Sequence, residues 1–411
     1  MTDVVDSTAG KRPEIDLNIR EPEFGNRNYA IYDDLRSRCP VAWSTAHGGF
    51  WLLTDYETTF EATRNDDLFI SSLGAGIVEP GSESSLTDVL PPIHTDPPLT
   101  AEMRRLTLKF LSPGAAAQLE PEMRDIATEL IDSFIERGEA DIIGELTTPL
   151  PARVILRMLN FDESRWPEWV TIIHTMIHGA EGGMDTSTVG GAVQAAIGSE
   201  MARRARLGTP ADDLVGTILS GSALGRPLTN EEKFGYILLL LFGGMDTTSG
   251  LTGNTLVQMS RDPSLKQQLI ERPKLLRSAT EEFLRHDTPT QGLARVVSRD
   301  AEFYGQQLKK GDRVLLLWAS ANRDPAVFSC PADIDLERQP NRHMAFGVGE
   351  HRCLGSNLAR TMFQVMMTEI LTRLPDFTMI ADEPVRFRDA SAVYAPRGLR
   401  IRFTPGPRSG R

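Results

Sequence analysis

The chain of 411 residues is 40% hydrophobic and carries 44 Lys plus Arg against 56 Asp plus Glu, a formal net charge of −12. Such a content buries a large core, while the acidic balance argues against broad nucleic-acid affinity and confines any basic partner surface to a local patch. Three cysteines, Cys39, Cys330 and Cys353, are too few and too scattered for a disulfide framework or a zinc spacing and fit a reducing cytoplasm.

The opening MTDVVDSTAGKRPEID has early acids and no apolar stretch, which predicts a flexible lead over residues 1–20 rather than a signal peptide or anchor. VAWSTAHGGFWLLTD reads as two β-segments around a His-Gly-Gly turn, followed by a short helix over residues 56–64. Between residues 73 and 98 the density of Gly, Pro and Ser predicts a long irregular loop, often a functional feature.

Helical periodicity then runs to about residue 285, with helices predicted over 100–110, 121–137, 150–159, 166–177, 189–206 and 211–220. His174 and His178 lie four apart in TIIHTMIHGA, a spacing that places two imidazoles on one helix face. No HExxH pattern and no third ligand accompany them, so they read as ordinary helix residues.

The segment LTNEEKFGYILLLLFGGMDTTSGLTGNTLVQMSRDP opens with Thr229 and Glu232 at capping-box spacing and closes at Pro263. That predicts a helix of roughly 30 residues, which at ~1.5 Å per residue crosses the whole molecule. Its longest apolar run, from Tyr236 to Phe242, is far short of the ~20 residues that span a bilayer, so no membrane segment is expected. The centre is unusual, because Gly243-Gly244 followed by Met245-Asp246-Thr247-Thr248 sets poor helix formers and a carboxylate in the most apolar section. Two readings stand: the glycines pack against another helix, or they open the hydrogen-bond ladder and leave room for a small ligand.

In ATEEFLRHD, Glu282 and Arg285 share a helix face, and Arg338 in ADIDLERQP offers a second guanidinium for a three-member network. Valines, glycine turns and the run DRVLLLWAS return strand character over 292–335, and the last ~30 residues read as β and turns. The glycine pairs at 74–76 and 347–349 lack the strand–turn–helix context of a dinucleotide fingerprint. With no linker in view, residues 21–411 form one mixed, mainly helical domain with small β-sheets (α+β).

Residues 343–355, HMAFGVGEHRCLG, place Cys353 in a glycine-rich loop just before the helix-like run NLARTMFQVMMTEIL. A thiol at a helix N-terminus meets unpaired N–H groups and the positive end of the dipole, which favours the thiolate. Cys353 is therefore a candidate nucleophile or metal ligand, with a small buried apolar residue as the plain alternative.

Taken together, FGVGEHRCLG, GGMDTT, EEFLR and ANRDPAVFSCPADIDLER resemble the signature set of the cytochrome P-450 superfamily, in order and over nearly the whole chain, and of its soluble bacterial type. The resemblance implies a triangular, helix-rich single domain whose long central helix lies over haem b. It makes Cys353 the thiolate ligand of the iron, a sulfur that favours O–O cleavage, with Phe346, Gly347 and Gly355 around it. Arg104, Arg295 and His343 match the cations that meet the haem propionates. Thr100 stands where many relatives have a histidine, which weakens or removes one such contact, and His94 substitutes only if the preceding loop folds back. The Glu282, Arg285 and Arg338 network is implied to be structural.

On the other side of the haem, Asp246 and Thr247 match the family's acid–alcohol pair for proton delivery. Leu240, Gly243, Gly244, Thr248, Thr290, Leu293 and Val393 match the substrate pocket. The implied activity is a cytoplasmic monooxygenase that inserts one oxygen atom from O2 into a C–H bond of a hydrophobic small molecule such as a terpenoid, steroid-like or aromatic compound. Electrons are expected from a ferredoxin with a separate reductase, docking near Arg352, Arg360, Arg104, Arg105 and Lys109; neither nucleic acid nor membrane is an expected partner. The competing reading is a non-enzymatic haem-thiolate gas or redox sensor, which needs an output element that the chain does not spare.

Overall fold

The Thr229 hydroxyl accepts the Glu232 amide at 3.2 Å while the Glu232 carboxylate accepts the Thr229 amide at 2.7 Å, and from this box one helix of 32 residues runs to Arg261. It is the axis of the computed structural model, which describes residues 13–21, 24–77, 90–207, 212–387 and 392–409. The helices are α1 Phe24–Arg38, α2 Tyr56–Arg64, α3 Leu99–Thr107, α4 Pro113–Phe134, α5 Pro149–Met158, α6 Trp166–His178 and α7 Thr186–Leu207. There follow α8 Leu214–Leu219, the capped α9 Asn230–Arg261, α10 Pro263–Glu271, α11 Leu276–His286, α12 Trp318–Ala321 and α13 Ser356–Arg373.

Helices α5, α6 and α13 pack against α9. Tyr236, Ile237, Leu238, Leu241 and Met245 of α9 are buried in one core with Met123, Ile126 and Ile131 of α4 and Phe363, Met366 and Met367 of α13. Burying each large apolar side chain contributes roughly 1.5–3 kcal/mol, which holds the long helix at the centre. By length and composition α9 as a whole is apolar enough to cross a membrane, but 61% of that stretch is buried inside the protein.

Helix α4 starts earlier than the proline signal suggested. Ser112 caps it, its hydroxyl accepting the Ala115 amide at 3.2 Å with Pro113 in the first turn, and Pro121 sits inside the helix at an exposed position. At an exposed position the carbonyl that the missing N–H leaves unpaired is open to solvent.

The main sheet has six strands in the order Glu14–Ile15, Val41–Ser44, Phe50–Leu53, Arg313–Leu316, Leu293–Val297 and Phe69–Ile70. Its first member corrects the expected lead: Glu14 and Ile15 pair in parallel with Trp43 and Ser44, and Ile15, Leu17 and Ile19 are buried. Residues 1–12 lie outside the described residues. So does 78–89 of the expected irregular loop, but its start is tied down, Ala294 donating to Ala75 O and Arg313 to Gly76 O, each at 2.7 Å. The chain is mainly α with small sheets; a three-stranded one joins Thr378–Met379, Arg400–Arg402 and Glu139–Asp141.

Candidate functional site

Cys353 closes a loop whose shape depends on glycine. Gly347 and Gly349 hold φ of 64° and 74°, a left-handed conformation that costs other residues about 1–2 kcal/mol. The Cys353 amide donates to Phe346 O and the Gly347 amide to Met344 O, both at 2.8 Å. Gly355 is the N-cap of α13. Cys353 lies deep in the protein and yet keeps accessible surface.

Burial pushes the Cys353 thiol up; the Gly355 amide and the guanidinium groups of Arg104, Arg352 and Arg360 oppose this without overcoming it. The helix end expected to yield a thiolate is therefore insufficient by itself. A metal cation bound at the sulfur would favour loss of that proton.

Two residues before the cysteine, the His351 side chain is buried and its Nε2 has no hydrogen-bond partner, the Asp66 carboxylate lying 3.9 Å away. Burial, followed by the nearby Arg295, Arg104 and His94, pushes this ring down to about 3. A buried orphan donor costs about 1–3 kcal/mol, and cations crowd together where an anion neutralises them. These residues fit the carboxylates of a cofactor. His94 reaches the group because the loop does fold back, the Ala75 amide donating to its Nε2 at 3.2 Å. Thr100 instead turns to Thr95, hydroxyl to hydroxyl at 2.8 Å.

Arg295 is buried and donates to Asp66 at 3.0 Å and to Phe69 O at 3.2 Å, while Arg104 donates to Arg352 O at 2.7 Å. His343 does not join this group, which corrects its expected place. Its Nε2 is 3.0 Å from Glu281, whose carboxylate also accepts from Arg360 at 2.6 and 2.7 Å. The overlooked signal was His351, in a loop too tight to leave a polar ring in water.

The three-member network is assembled. Arg285 donates twice to Glu282 at 2.8 Å, Arg338 adds bonds at 3.1 and 3.0 Å, and the Asn341 amide donates at 3.1 Å. Arg285 also donates to Asn322 O, Pro331 O and Asp333 O, so α11 clamps the segment leading to the cysteine loop.

On α9, Leu239, Leu240, Gly243 and Thr247 keep open surface while Leu238, Leu241, Met245, Asp246 and Thr248 are buried. Spaced three and four apart, these four share one stripe, with Phe242 and Gly244 partly open beside it. The packing reading holds at Gly244, where a Cβ meets Ile155 of α5 at 2.5 Å, while a Cβ on Gly243 meets nothing within 4 Å; the expected opening of the ladder does not occur. The helix itself is unbroken, so the room comes from missing side chains rather than an opened ladder. Thr247 Oγ1 donates to Gly243 O at 3.0 Å.

Asp246 points away from that stripe. His174 Nε2 lies 3.2 Å from its Oδ1 and His178 Nε2 lies 3.0 Å from its Oδ2. Burial alone pushes a carboxyl up, but the two imidazoles reverse this and hold Asp246 well below the usual carboxylate range. The histidines read as ordinary helix residues are thus partners of the central acid. Among the described residues no group of three or more His, Cys, Asp or Glu side chains forms a metal site.

Of the other pocket candidates, Thr290 and Leu293 keep partial exposure. Thr248 and Val393 are buried, and Val393 bridges to Thr290. Of the docking cations, Arg105 and Arg352 are exposed, and Lys109 pairs at the surface with Asp212 at 2.8 Å. Arg104 and Arg360 are engaged internally, Arg360 lying over the Phe346 ring at 4.5 Å.

A family model for cytochrome P-450 matches residues 203–394. The steroid C26-monooxygenase of Mycobacterium tuberculosis (strain ATCC 25618 / H37Rv) is 31% identical over 97% of this chain and 99% of its own length. The linalool 8-monooxygenase of Pseudomonas putida is 29% identical over 87% of this chain and 91% of its own. The crystal structure of CYP109E1 from Bacillus megaterium in complex with testosterone superimposes with a TM-score of 0.82 at 28% identity, covering 93% of this chain and 99% of that one.

Proposed function

The chain belongs to the cytochrome P-450 superfamily, and from that premise we propose that this haem-dependent monooxygenase hydroxylates a steroid-like or terpenoid molecule with electrons from a ferredoxin. When bound, haem supplies the oxidising chemistry: with two electrons and two protons, one atom of O2 goes to product and the other to water. The observation that carries the reading is Cys353, held accessible in a loop with two left-handed glycines at the start of α13.

Cys353 would supply the thiolate, and Arg104, Arg295, His351 and His94, which lie together, would take the propionates. Phe346 packs in the cysteine loop, where Arg360 covers its ring. Thr247 presents its hydroxyl on the open stripe, where on turning from Gly243 O it would hydrogen-bond the reacting oxygen, and the Asp246 carboxylate behind it would help relay protons through water. The ion-paired Glu282, Arg285 and Arg338 keep the cysteine loop in place.

Leu239, Leu240 and Leu293 offer an apolar wall, and the relatives' names, steroid C26-monooxygenase and linalool 8-monooxygenase, point to compact hydrocarbon frames. Arg105, Arg352 and Lys109 are the surface cations that meet an acidic ferredoxin.

The test is a panel of steroids and monoterpenes titrated into holoprotein. The reading expects a substrate-type shift of the haem spectrum with at least one class, and a hydroxylated product when a ferredoxin and its reductase are added. If neither class shifts the spectrum while linear fatty acids do, the substrate class is wrong.

A further inference from the structure

Two imidazoles on one carboxylate, deep in the protein, call for an explanation that the binding of haem and substrate does not give. His174 and His178 lie one turn apart on α6, and each Nε2 takes a different oxygen of Asp246, at 3.2 and 3.0 Å. Phe387 braces the pair: its ring stacks on His178 at 3.6 Å with an interplanar angle of 1° and meets the edge of His174 at 5.3 Å and 75°. The His178 side chain is wholly buried and Asp246 is 3% exposed, whereas His174 retains 16%.

Three physical consequences follow. A carboxylate with a nitrogen donor on each oxygen is fixed in both position and rotation, since turning it breaks both bonds. A buried carboxylate without such donors takes up a proton or leaves the low-dielectric interior. And because the donors sit on α6 and the acid on α9, the readiness of the acid is set from outside the helix that carries it.

We infer that His174 and His178 are positioning residues for proton delivery, His178 as the fixed anchor of Asp246 and His174 as the solvent-reached partner through which its hydrogen bonding is renewed. The inference rests on the reading of Asp246 as the carboxylate that relays protons through water. It goes beyond that reading in assigning the acid's orientation to two side chains of another helix. Neighbouring charges are directed elsewhere: Arg386, just before Phe387, donates to Asn254 at 3.0 Å and covers Tyr394, and Arg153 and Arg157 of α5 bind Glu129, Glu122 and Glu163.

The experiment measures product and hydrogen peroxide per reducing equivalent in holoenzyme, together with the solvent isotope effect on turnover, for His174→Ala, His174→Gln, His178→Leu, His178→Gln and Asp246→Asn. Removing a donor is expected to lower product per electron by on the order of ten-fold, less than the roughly 10²–10⁴-fold that a positioned acid or base contributes because the carboxylate itself remains, while the substrate-induced spectral shift stays intact. Glutamine, which keeps an N–H donor, is expected to restore most of the coupling, and His178→Leu is expected to add nothing to Asp246→Asn.

If Asp246→Asn uncouples turnover but both donor-removing variants stay coupled, the inference is overturned and the acid reading survives. If Asp246→Asn itself stays coupled, both fall. His178→Leu leaves a hole in the core, so if it fails to fold the decision passes to His174→Ala at the partly exposed position: full coupling there overturns the proposal, and loss of coupling rescued by His174→Gln supports it.

Discussion

Arg338 reaches Glu282 across 56 residues of sequence with its Nε at 3.1 and 3.0 Å from the two carboxylate oxygens, and Glu282 has no exposed side-chain surface. Breaking a buried pair by removing one partner leaves an uncompensated charge and costs about 3–5 kcal/mol. Arg338→Leu is therefore expected to lower the unfolding midpoint in urea sharply and to reduce haem retention. Arg400→Ala, which removes an exposed pair with Glu139, is expected to change stability by less than about 1 kcal/mol. Equal effects of the two substitutions contradict the structural role of the network.

Thr247 sits on the open stripe of α9, its hydroxyl bonded back to Gly243 O at 3.0 Å. Thr247→Ala is expected to bind haem and substrate as wild type does while diverting reducing equivalents to peroxide. Thr248→Ala, at the buried neighbour, is the control and is expected to remain coupled. Oxygen-electrode and product assays separate the two, and a coupled Thr247→Ala enzyme removes Thr247 from proton delivery.

Acid sensitivity has a defined sign at Glu281. Burial would raise its pKa, but Arg360 and His343 hold it down at about 2, below the ordinary carboxylate value. The stabilisation is therefore fully present above about pH 4.5 and is lost as pH falls towards about 2. Glu281→Gln is expected to be less stable than wild type at neutral pH by on the order of 2 kcal/mol, and the gap is expected to close across that acid window. A gap that stays constant down to pH 2 shows that the carboxylate charge is not what stabilises.

Electron delivery is expected to depend on the exposed cations. Arg105→Glu is expected to slow reduction by an acidic ferredoxin while dithionite reduction is unchanged, and raising ionic strength is expected to shrink the difference. Lys109→Glu carries a weaker expectation of the same sign, because Asp212 already neutralises that ammonium at 2.8 Å. Stopped-flow rates insensitive to both salt and substitution place the docking face elsewhere.

Local signals in the chain were strong where geometry is local. The Thr229–Glu232 box, the two-strand hairpin and the glycine-rich cysteine loop each follow from spacing over a few residues, and they stand where the spacing put them. What escaped depends on long-range pairing. His174 and His178 shared a face in the sequence, but their partner Asp246 lies on a different helix. His343 and His351 flank the same loop and look alike in sequence; only packing shows that one is held by Glu281 and the other left with an orphan nitrogen. Pro121 looked like a helix start because local rules favour proline there, yet the Ser112 cap one element earlier prevailed.

The central claim is that Cys353 ligates haem iron as a thiolate although the surrounding protein alone pushes its thiol up. The carbon monoxide adduct of the reduced holoprotein tests it most directly. The account predicts the strongly red-shifted Soret band of a thiolate-ligated haem in the wild type and its loss in Cys353→Ala, in a protein whose fold, checked by circular dichroism, is retained. A wild-type adduct without that band, or a Cys353→Ala adduct that keeps it, contradicts the assignment.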